Sequence, residues 1–293
     1  MIKVIVPATS ANMGPGFDTL GLALNLYNIF TFKEISKGLE INGFDKEYNY
    51  ENNLVYTSML ETFKEIDYTP KGISIDIESN IPISRGLGSS ASCILGGVIG
   101  ANELAGAPLS KEEVFQLATR IEGHPDNIAP ALFGGLIVSV MDGEKILYNK
   151  VKVCSGIKFV ALVPDFVLST KEAREVLPSS ISFQQGVNNI SRVSLLLSAL
   201  SNGRFDLLKY SFKDALHQPY RGKIIPDFFN IINKCEEMDV LGVYLSGAGP
   251  TIMCILEEDN NSFIVDIKRY LNTLKGNWGI KELYIDLEGT RIS

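Results

Sequence analysis

The sequence predicts an α+β protein of two domains, residues 1–152 and 153–293. Three observations predict this. The chain is long enough for two ordinary domains, and 45% of its residues are hydrophobic, enough for substantial cores. In the first half, short strands lead to a glycine-rich turn and a long apolar helix. The second half, apart from extra helices, follows the order β-α-β-β-α-β, which is the ferredoxin-like pattern.

Hydrophobic periodicity places the elements of the first domain. Alternating or short apolar runs predict strands at residues 2–8, 28–35, 72–81, 136–141 and 145–151. Apolar residues at helical spacing predict helices at 53–66, after the glycine turn, and at 110–122. The last helix opens with a capping box from Ser110 to Glu113, and Asp142-Gly143 is a hairpin signal between the last two strands.

The second domain is predicted from the same periodicities. Its strands are expected at residues 157–164, 241–246, 251–256 and 282–287. Several helices separate the first two of these strands, and a helix at 261–274 separates the last two.

Composition excludes several classes of partner. The 27 basic and 34 acidic residues give a net charge of −7 without a run of lysine or arginine, so no nucleic-acid surface is expected. There is no signal-peptide pattern and no apolar run of the ~18 residues that a membrane-spanning helix needs. The four cysteines are far apart and mostly in apolar runs, which predicts free thiols in a reducing compartment. We therefore expect a cytoplasmic protein with a small-molecule partner.

Residues 80–106 carry the strongest functional signal. Gly86 and Gly88 can adopt positive φ and expose backbone N–H groups. Ser89, Ser90 and Ser92 add hydroxyl groups at the point where the helix begins. A helix N-terminus carries about half a positive charge and unpaired N–H groups, so a phosphate bound there gains hydrogen bonds and dipole attraction together.

Two other interpretations of this stretch are possible. The glycines and serines could form only a turn and a helix cap. The stretch also lacks the lysine of a Walker loop, so it does not fit a P-loop NTPase or a Rossmann dinucleotide site. A different phosphate-binding architecture is needed.

Residues 82–91, Pro-Ile-Ser-Arg-Gly-Leu-Gly-Ser-Ser-Ala, resemble the central motif of the GHMP kinases, the superfamily of galactokinase, homoserine kinase, mevalonate kinase and phosphomevalonate kinase. The loop within residues 6–24 resembles the first motif of the family, and residues 245–251 resemble the third. The resemblance implies the two-domain GHMP kinase fold, with an N-terminal domain like domain 2 of ribosomal protein S5 and a ferredoxin-like C-terminal domain. It also implies ATP and Mg²⁺.

The resemblance places ATP on the central motif and on the start of the helix predicted at 53–66. The nucleotide-binding residues predicted in this way are Pro82, Ile83, Ser84, Arg85, Gly86, Leu87, Gly88, Ser89, Ser90, Ala91, Ser92, Asn53 and Val55. Asn53 and Val55 could instead be a residue of the helix N-terminal turn and a core contact. The third motif could likewise be only a tight hairpin, but the resemblance makes it a loop that closes the active site.

A second polar cluster, Glu-Gly-His-Pro-Asp-Asn-Ile-Ala-Pro, interrupts an apolar stretch at residues 122–130. It resembles a segment of the homoserine kinase members of the family. The resemblance assigns Mg²⁺ to Glu122 and to Ser89 or Ser90, and Mg²⁺ prefers one or two carboxylates or hydroxyls with phosphate oxygens and water. Without the resemblance, Glu122 could be a solvated helix end, and the residues after it a hydrogen-bonded turn.

Two arginine-containing segments, residues 170–178 and 219–226, also resemble homoserine kinase members, whose arginines hold the substrate carboxylate. Guanidinium groups suit bidentate contact with a carboxylate, although most arginines only solvate a surface. The substrate-binding residues that the resemblance predicts are Asn12, Asp18, His124, Asp126, Arg174, Arg221 and Gly247. His217 is given no role.

The resemblance thus implies ATP-dependent phosphorylation of the side-chain hydroxyl of L-homoserine, giving O-phospho-L-homoserine for threonine biosynthesis, by a homodimer. The predicted catalytic residues are Asp126, Asn127 and Asp18. Asp126 is a candidate general base, whereas Asp18 and Asn127 could only orient the hydroxyl. Two alternatives stay open: a GHMP kinase for another small alcohol such as mevalonate, shikimate or a sugar, and a non-catalytic nucleotide- or metabolite-binding protein of this fold.

Overall fold

The strands of the computed structural model, which describes residues 1–43 and 53–293, form two sheets. The strands are β1 (Ile2–Ala11), β2 (Leu20–Glu34), β3 (Gly38–Asn42), β4 (Gly72–Glu78), β5 (Leu136–Asp142), β6 (Lys145–Val151), β7 (Ile157–Pro164), β8 (Gly242–Leu245), β9 (Ile252–Glu257), β10 (Trp278–Leu283) and β11 (Arg291–Ile292). The helices are α1 (Leu54–Glu65), α2 (Ser89–Leu104), α3 (Lys111–Glu122), α4 (Pro125–Phe133), α5 (Thr170–Glu175), α6 (Phe183–Asn202), α7 (Leu208–Ser211), α8 (Gln218–Arg221), α9 (Phe228–Glu237) and α10 (Ser262–Leu271).

The first sheet has the strand order β11-β1-β2-β4-β3, and β5 joins β2 to β6. The 15-residue β2 makes this branching possible, because residues 29–34 pair with β4 while residues 20–22 pair with β5. The predicted hairpin of β5 and β6 is confirmed, with Gly143 in the left-handed region at its turn. The pairing of β1 with β2 shifts register between Pro7 and Ala8, where β2 carries the additional residues Asn25 and Leu26 as a bulge.

Helix α2 lies on the first sheet and is buried along nearly its whole length. Its apolar residues pack with Phe30 and Phe32 of β2 in one core. The close approach depends on small residues, because a Cβ added at Gly96 or Gly100 would overlap the rings of Phe30 and Phe32. The long apolar helix predicted after the glycine-rich turn is confirmed. The same packing fixes where the N-terminus of α2 lies.

The second sheet has the order β10-β7-β9-β8 with antiparallel neighbours, which is the 4-1-3-2 arrangement expected of a ferredoxin-like domain. Every residue of β7 is buried, because the two faces of the strand contribute to different cores. Val160 and Leu162 pack with α9 and α10, while Phe159 and Ala161 pack with α6 and residues of β2. The core that contains Phe159 and Ala161 therefore joins the two sheets.

The last strand of this sheet differs from its predicted position. It spans Trp278–Leu283 rather than residues 282–287. The alternating residues that follow bridge to β2 instead, since Leu24 pairs with Ile285. Strand β11 then pairs with β1. The chain end thus belongs to the first sheet, while the domain division at residue 152 stays a prediction.

Within residues 1–43 and 53–293, no helix has the length and apolar character needed to cross a bilayer. The four cysteines are all free, and the Sγ atoms of Cys235 and Cys254 lie 3.6 Å apart in the core.

Candidate active site

A cavity of about 290 Å³ lies between the N-terminus of α2 and residues of the second half of the chain. Its wall includes most of the residues predicted from the sequence. These are Asn12, Asp18, Asn53, Ile83, Ser84, Arg85, Gly86, Gly88, Ser89, Ser90, Glu122, His124, Asp126, Asn127, Arg174, Arg221 and Gly247. The fold therefore brings segments that are up to 235 residues apart in the chain to one place.

The glycine-rich loop before α2 is held in a conformation that requires glycine. Gly86 and Gly88 have φ of 75° and 71°, and Ser84 has φ of 53°. A Cβ at Gly86 would overlap the carbonyl oxygen of Ser246, and one at Gly88 would overlap the hydroxyl of Thr9. The loop thus passes too close to its neighbours for any side chain at these two positions.

The N-terminus of α2 is open toward the cavity. The first hydrogen bond of the helix runs from the Ser92 N–H to the Gly88 carbonyl, and Gly88 at the N-cap has no side chain to bond the first turn. The N–H groups of Ser89, Ser90 and Ala91 consequently have no partner among the described residues. Free N–H groups and the helix dipole together favour an anion at this point.

A buried asparagine fastens the entry of the loop. Asn28 Oδ1 accepts hydrogen bonds from the backbone N–H groups of Asn80 and Ile81, both at 2.9 Å. Asn28 Nδ2 donates to Ser92 Oγ at 2.8 Å, and Ser92 Oγ in turn donates to the Ser89 carbonyl. The loop entry and the first turn of α2 are therefore tied to one fully buried side chain of β2.

The second sheet holds the other side of the loop. The guanidinium of Arg85 donates to the carbonyls of Pro164 and Asp165 at 2.8 and 2.7 Å, at the end of β7. Ser246 Oγ donates to the Gly86 carbonyl at 2.6 Å. The loop is thereby preorganised, because both halves of the protein fix its backbone.

Five of the predicted nucleotide-binding residues do not belong to the cavity wall: Pro82, Leu87, Ala91, Ser92 and Val55. Their part in nucleotide binding stays a prediction. Leu87, Ala91 and Val55 are fully buried apolar residues, and the Ser92 hydroxyl is used by Asn28 and the Ser89 carbonyl. Asn53 does border the cavity and also caps α1, where its Oδ1 accepts from the Val55 N–H.

Ser90 and Glu122 meet at one side of the cavity. The Ser90 hydroxyl donates to Glu122 Oε2 at 2.9 Å, across the ends of α2 and α3. Burial raises the pKa of the Glu122 carboxyl, and the hydrogen bond from Ser90 and the charge of His124 partly offset that effect. A hydroxyl and a carboxylate beside a phosphate site are oxygen ligands of the kind Mg²⁺ uses. Among the described residues, no group of three or more His, Cys, Asp or Glu side chains is placed to hold a metal ion.

The second polar cluster lies on α4, a helix that was not predicted. Pro125 occupies its first turn, and Pro130 lies inside it. The interior proline and the polar residues are not typical of a helix, which explains why it was not predicted. A proline at the first position followed by an acidic residue in the first turn is, however, a helix-start signal in the sequence. The helix buries Asp126, whose side chain is 4% exposed.

His124 and Asp126 form a close ion pair at the start of α4. Their Nδ1 and Oδ1 atoms lie 3.1 Å apart, and neither atom makes another hydrogen bond in the described chain. Contact with Asp126 raises the pKa of His124 against the opposing effect of burial. Asn127, the next residue, accepts a 2.6 Å hydrogen bond from Thr9.

Opposite the glycine-rich loop, an acid and an arginine form a bidentate pair. Arg174 Nη1 and Nη2 donate to the two carboxylate oxygens of Asp18 at 3.1 and 3.0 Å. Asp18 itself is oriented by Asn12, whose Oδ1 accepts from the Asp18 N–H at 2.9 Å. Asn12 Nδ2 donates to the Gly247 carbonyl, which joins this corner to the third motif.

Arg221 is an almost completely buried guanidinium, 2% exposed. Its Nε donates to the Ala173 carbonyl and its Nη1 to the Gly247 carbonyl, each at 3.0 Å. Burial lowers the pKa of Arg221 to about 10, so the group remains charged at neutral pH. A buried cation of this kind favours an anion in the cavity it borders.

No role was predicted for the two rings that lie beside these arginines, those of Phe17 and His217. The Phe17 ring lies 5.8 Å from Arg174 Cζ and 5.2 Å from Arg221 Cζ, and it stacks on His217 at 5.2 Å. His217 Nδ1 accepts from Arg221 while Nε2 donates to the Gly14 carbonyl, which fixes a neutral tautomer. Burial lowers the pKa of His217, in agreement with that state. The spacing of His217 and Arg221, four residues apart, was the only available signal.

Other wall residues were also missed: Leu54, Cys93, Leu168, Thr170, Ala248 and Gly249. Each lies within a few residues of a predicted position, so the segments were found while the individual contacts were not.

Comparisons with known proteins agree with this geometry. The family profile described as "GHMP kinases N terminal domain" matches residues 53–135, and that described as "GHMP kinases C terminal" matches residues 196–271. A homoserine kinase of Clostridium botulinum (strain ATCC 19397 / Type A) is 53% identical over 293 residues, which are 100% of this chain and 99% of the relative. A homoserine kinase of the Eklund 17B strain is 51% identical over 290 residues, covering 99% of this chain and 97% of the relative.

Solved structures give the same picture. The crystal structure of a homoserine kinase from Cytophaga hutchinsonii superposes with a TM-score of 0.88 at 26% identity, covering 100% of this chain and 97% of that one. An L. major mevalonate kinase crystallised with R-mevalonate superposes with a TM-score of 0.73 at 17% identity, covering 98% of this chain and 96% of that one. The second likeness concerns the fold alone.

Proposed function

The chain belongs to the GHMP kinase family, and we infer from this membership that it is a homoserine kinase, which transfers the γ-phosphoryl group of ATP to the side-chain hydroxyl of L-homoserine. The product, O-phospho-L-homoserine, serves threonine biosynthesis. The observation that carries the inference is the 53% identity with a curated homoserine kinase over the full chain. The fold class predicted from the sequence is confirmed with it.

The open end of α2 supports the placement of the ATP phosphates. Three unpaired backbone N–H groups and the helix dipole would hold the phosphate tail without a lysine. The residues we propose for nucleotide binding are those of the loop that border the cavity, the backbone N–H of Ala91, and Asn53 and Leu54 at the start of α1. A loop fixed from both sheets suits phosphoryl transfer, because positioning supplies most of the rate.

We propose Ser90 and Glu122 as the protein ligands of Mg²⁺. The sequence left the choice between Ser89 and Ser90 open, and the hydrogen bond between Ser90 and Glu122 favours Ser90. When bound, the cation would neutralise charge on the phosphates. The raised pKa of Glu122 also fits this role. Burial disfavours the charged form of the carboxylate, and a bound cation would stabilise that form.

The corner opposite the loop supports recognition of an amino acid. We propose that Arg174 and Arg221 bind the α-carboxylate of homoserine, and that Asn12 and Asp18 contact its ammonium group. Opposite charges already face each other here, since Arg174 pairs with Asp18. Mevalonate and sugars carry no ammonium group, so they would leave Asp18 without its proposed partner.

In the proposed mechanism the homoserine hydroxyl is held in line with the γ-phosphorus by the residues at the start of α4. Asn127 orients the hydroxyl. Asp126 stands nearby as the candidate acceptor of its proton, with His124 beside it. The backbone N–H groups at the N-terminus of α2 stabilise the negative charge that develops on the phosphoryl group during transfer.

We expect Asp126→Asn to lower kcat by about a hundredfold if Asp126 accepts the proton, because general-base catalysis typically contributes that much or more. Asparagine has the same shape, and the carboxamide keeps one oxygen for His124. The measurement is steady-state kcat with MgATP and homoserine, with the exposed Asp206→Asn as control. A kcat within about threefold of the wild type would exclude an essential general base.

Product identification tests the function directly. Incubation of the purified protein with MgATP and L-homoserine should give O-phospho-L-homoserine by mass spectrometry, with one ADP formed for each product. The same coupled assay with mevalonate, shikimate and galactose should give no ADP above background. ATP binding without ADP release for any acceptor would point to a non-catalytic protein and overturn the proposal.

We further propose that the enzyme is a cytoplasmic homodimer. The free state of all four cysteines supports a reducing compartment. The dimer is proposed from the family resemblance. One candidate face is the exposed apolar stripe of α6, formed by Phe183, Val187 and Ile190.

A further inference from the structure

We propose that Thr9 is a positioning residue for phosphoryl transfer, because its hydroxyl fixes which end of the Asn127 amide faces the cavity. The two residues are 118 positions apart in the chain, Thr9 in β1 and Asn127 in α4. They meet because α4 packs against β1. The inference rests on the proposed function, since it concerns the hydroxyl acceptor of that reaction.

The geometry defines the direction of the hydrogen bond. Thr9 Oγ1 lies 2.6 Å from Asn127 Oδ1. This distance is typical of an O–H···O bond and is shorter than the usual N–H···O bond, so the threonine donates and the amide oxygen accepts. The Thr9 hydroxyl has no other partner in the described chain, and the side chain is fully buried. The bond is therefore shielded from water.

The direction of the bond decides what Asn127 can do. With Oδ1 turned to Thr9, the Nδ2 amide group is the end left for the cavity, and it has no hydrogen bond to the described residues. An NH₂ group can donate to a lone pair of the acceptor hydroxyl or to a phosphoryl oxygen, but it cannot take a proton. The opposite orientation would present a carbonyl oxygen to oxygens that carry negative charge. Thr9 thus selects the productive orientation.

Thr9 also links this amide to the phosphate site. Its backbone N–H donates to the Leu87 carbonyl at 3.1 Å, within the glycine-rich loop. Gly88 packs so closely on the Thr9 side chain that an added Cβ would overlap the hydroxyl oxygen. A single residue of β1 therefore touches both the phosphate loop and the group proposed to orient the acceptor, which fixes their separation.

The test is a double-mutant cycle of Thr9→Val and Asn127→Ala, with Thr9→Ser as the conservative variant. Valine keeps the branched shape and removes the donor. We expect Thr9→Val to lower kcat by about tenfold to a hundredfold, because a small misplacement of a reacting group can cost that much. Thr9→Ser should stay within about threefold of the wild type, and the KM for ATP should change little in both.

The cycle separates positioning from a structural role. In the Asn127→Ala background, Thr9→Val should have almost no further effect on kcat, because the group through which it acts is gone. The control is Thr62→Val, a fully buried threonine in α1 whose hydroxyl bonds, within the described part of the chain, only to the Ser58 carbonyl. It should leave kcat unchanged. If Thr9→Val does not fold, Thr9→Ala takes its place in the same cycle.

Two results overturn the inference while leaving the proposed function intact: a folded Thr9→Val with kcat within about threefold of the wild type, or an undiminished effect in the Asn127→Ala background. A wild-type protein that forms no ADP with homoserine overturns the proposed function, and this inference with it. The outcomes are therefore distinguishable from the same set of assays.

Discussion

Arg221→Lys is expected to raise the KM for homoserine about a hundredfold and to leave the KM for ATP within about twofold of the wild type. The expected size follows from the burial of the group, because disrupting a buried, hydrogen-bonded charge contact costs about 2 to 5 kcal/mol. Arg221 is 2% exposed and borders the cavity. If it holds the substrate carboxylate, its loss affects the acceptor and spares the nucleotide.

Lysine is an informative replacement because it keeps the positive charge. Arg221 uses two different nitrogens to bond the Ala173 and Gly247 carbonyls, and an ammonium group cannot reproduce that planar arrangement while also reaching a ligand. The Phe17 ring would also lose the nearer of its two guanidinium neighbours. If only the positive charge matters, Arg221→Lys should change the KM for homoserine little. If the planar guanidinium geometry matters, the KM should rise strongly.

The matched control is Arg204→Lys, since Arg204 pairs with Asp206 on the surface and both side chains are 60% exposed. Its KM values should equal those of the wild type. Thermal unfolding and ATP binding establish that the Arg221 variant is folded. A folded Arg221→Lys protein with an unchanged KM for homoserine would remove Arg221 from the carboxylate site. Arg174→Lys then tests whether the more exposed arginine holds the carboxylate alone.

The sequence was most informative where local chemistry determines structure. The capping box at Ser110 and Glu113 begins α3 as predicted, and α2 is the long apolar helix predicted after the glycine-rich turn. These features depend on backbone geometry that a few adjacent residues impose. The glycine-rich loop belongs to the same class, since positive φ at Gly86 and Gly88 is a local requirement.

Contacts across the fold could not be predicted in the same way. The support of Arg221 by His217 and Phe17 depends on how α8 packs against the first loop, which no local pattern encodes. The hydroxyl of Ser92 was predicted to face a ligand but faces Asn28, because the helix rotation is set by its packing on β2. The last strand was misplaced for a related reason: residues after Leu283 keep the alternation of a strand yet pair with the other sheet.

Glu122→Gln is expected to reduce kcat by a factor on the order of a thousand, since loss of a preorganised electrostatic partner commonly costs between a hundred- and a thousandfold. Ser90 and Glu122 are the only ligands that we propose from the protein, and Glu122 supplies the only carboxylate of the pair. Glutamine keeps the size of the side chain and an oxygen that can accept the Ser90 hydrogen bond. The loss would therefore come from the charge and from weaker Mg²⁺ binding.

Measurements on this variant and on matched controls distinguish this explanation from loss of the fold. The Mg²⁺ concentration for half-maximal rate should rise strongly in Glu122→Gln, while the affinity for metal-free ATP should stay near the wild-type value because the N–H groups of α2 are unchanged. Glu112→Gln, at an exposed position of the same helix, should behave as the wild type. Ser90→Ala should shift the Mg²⁺ dependence more than Ser89→Ala, since only Ser90 bonds to Glu122 in the described chain. A Glu122→Gln protein with wild-type Mg²⁺ dependence would show that the cation is held elsewhere, and equal effects of the two serine variants would reopen the choice between them.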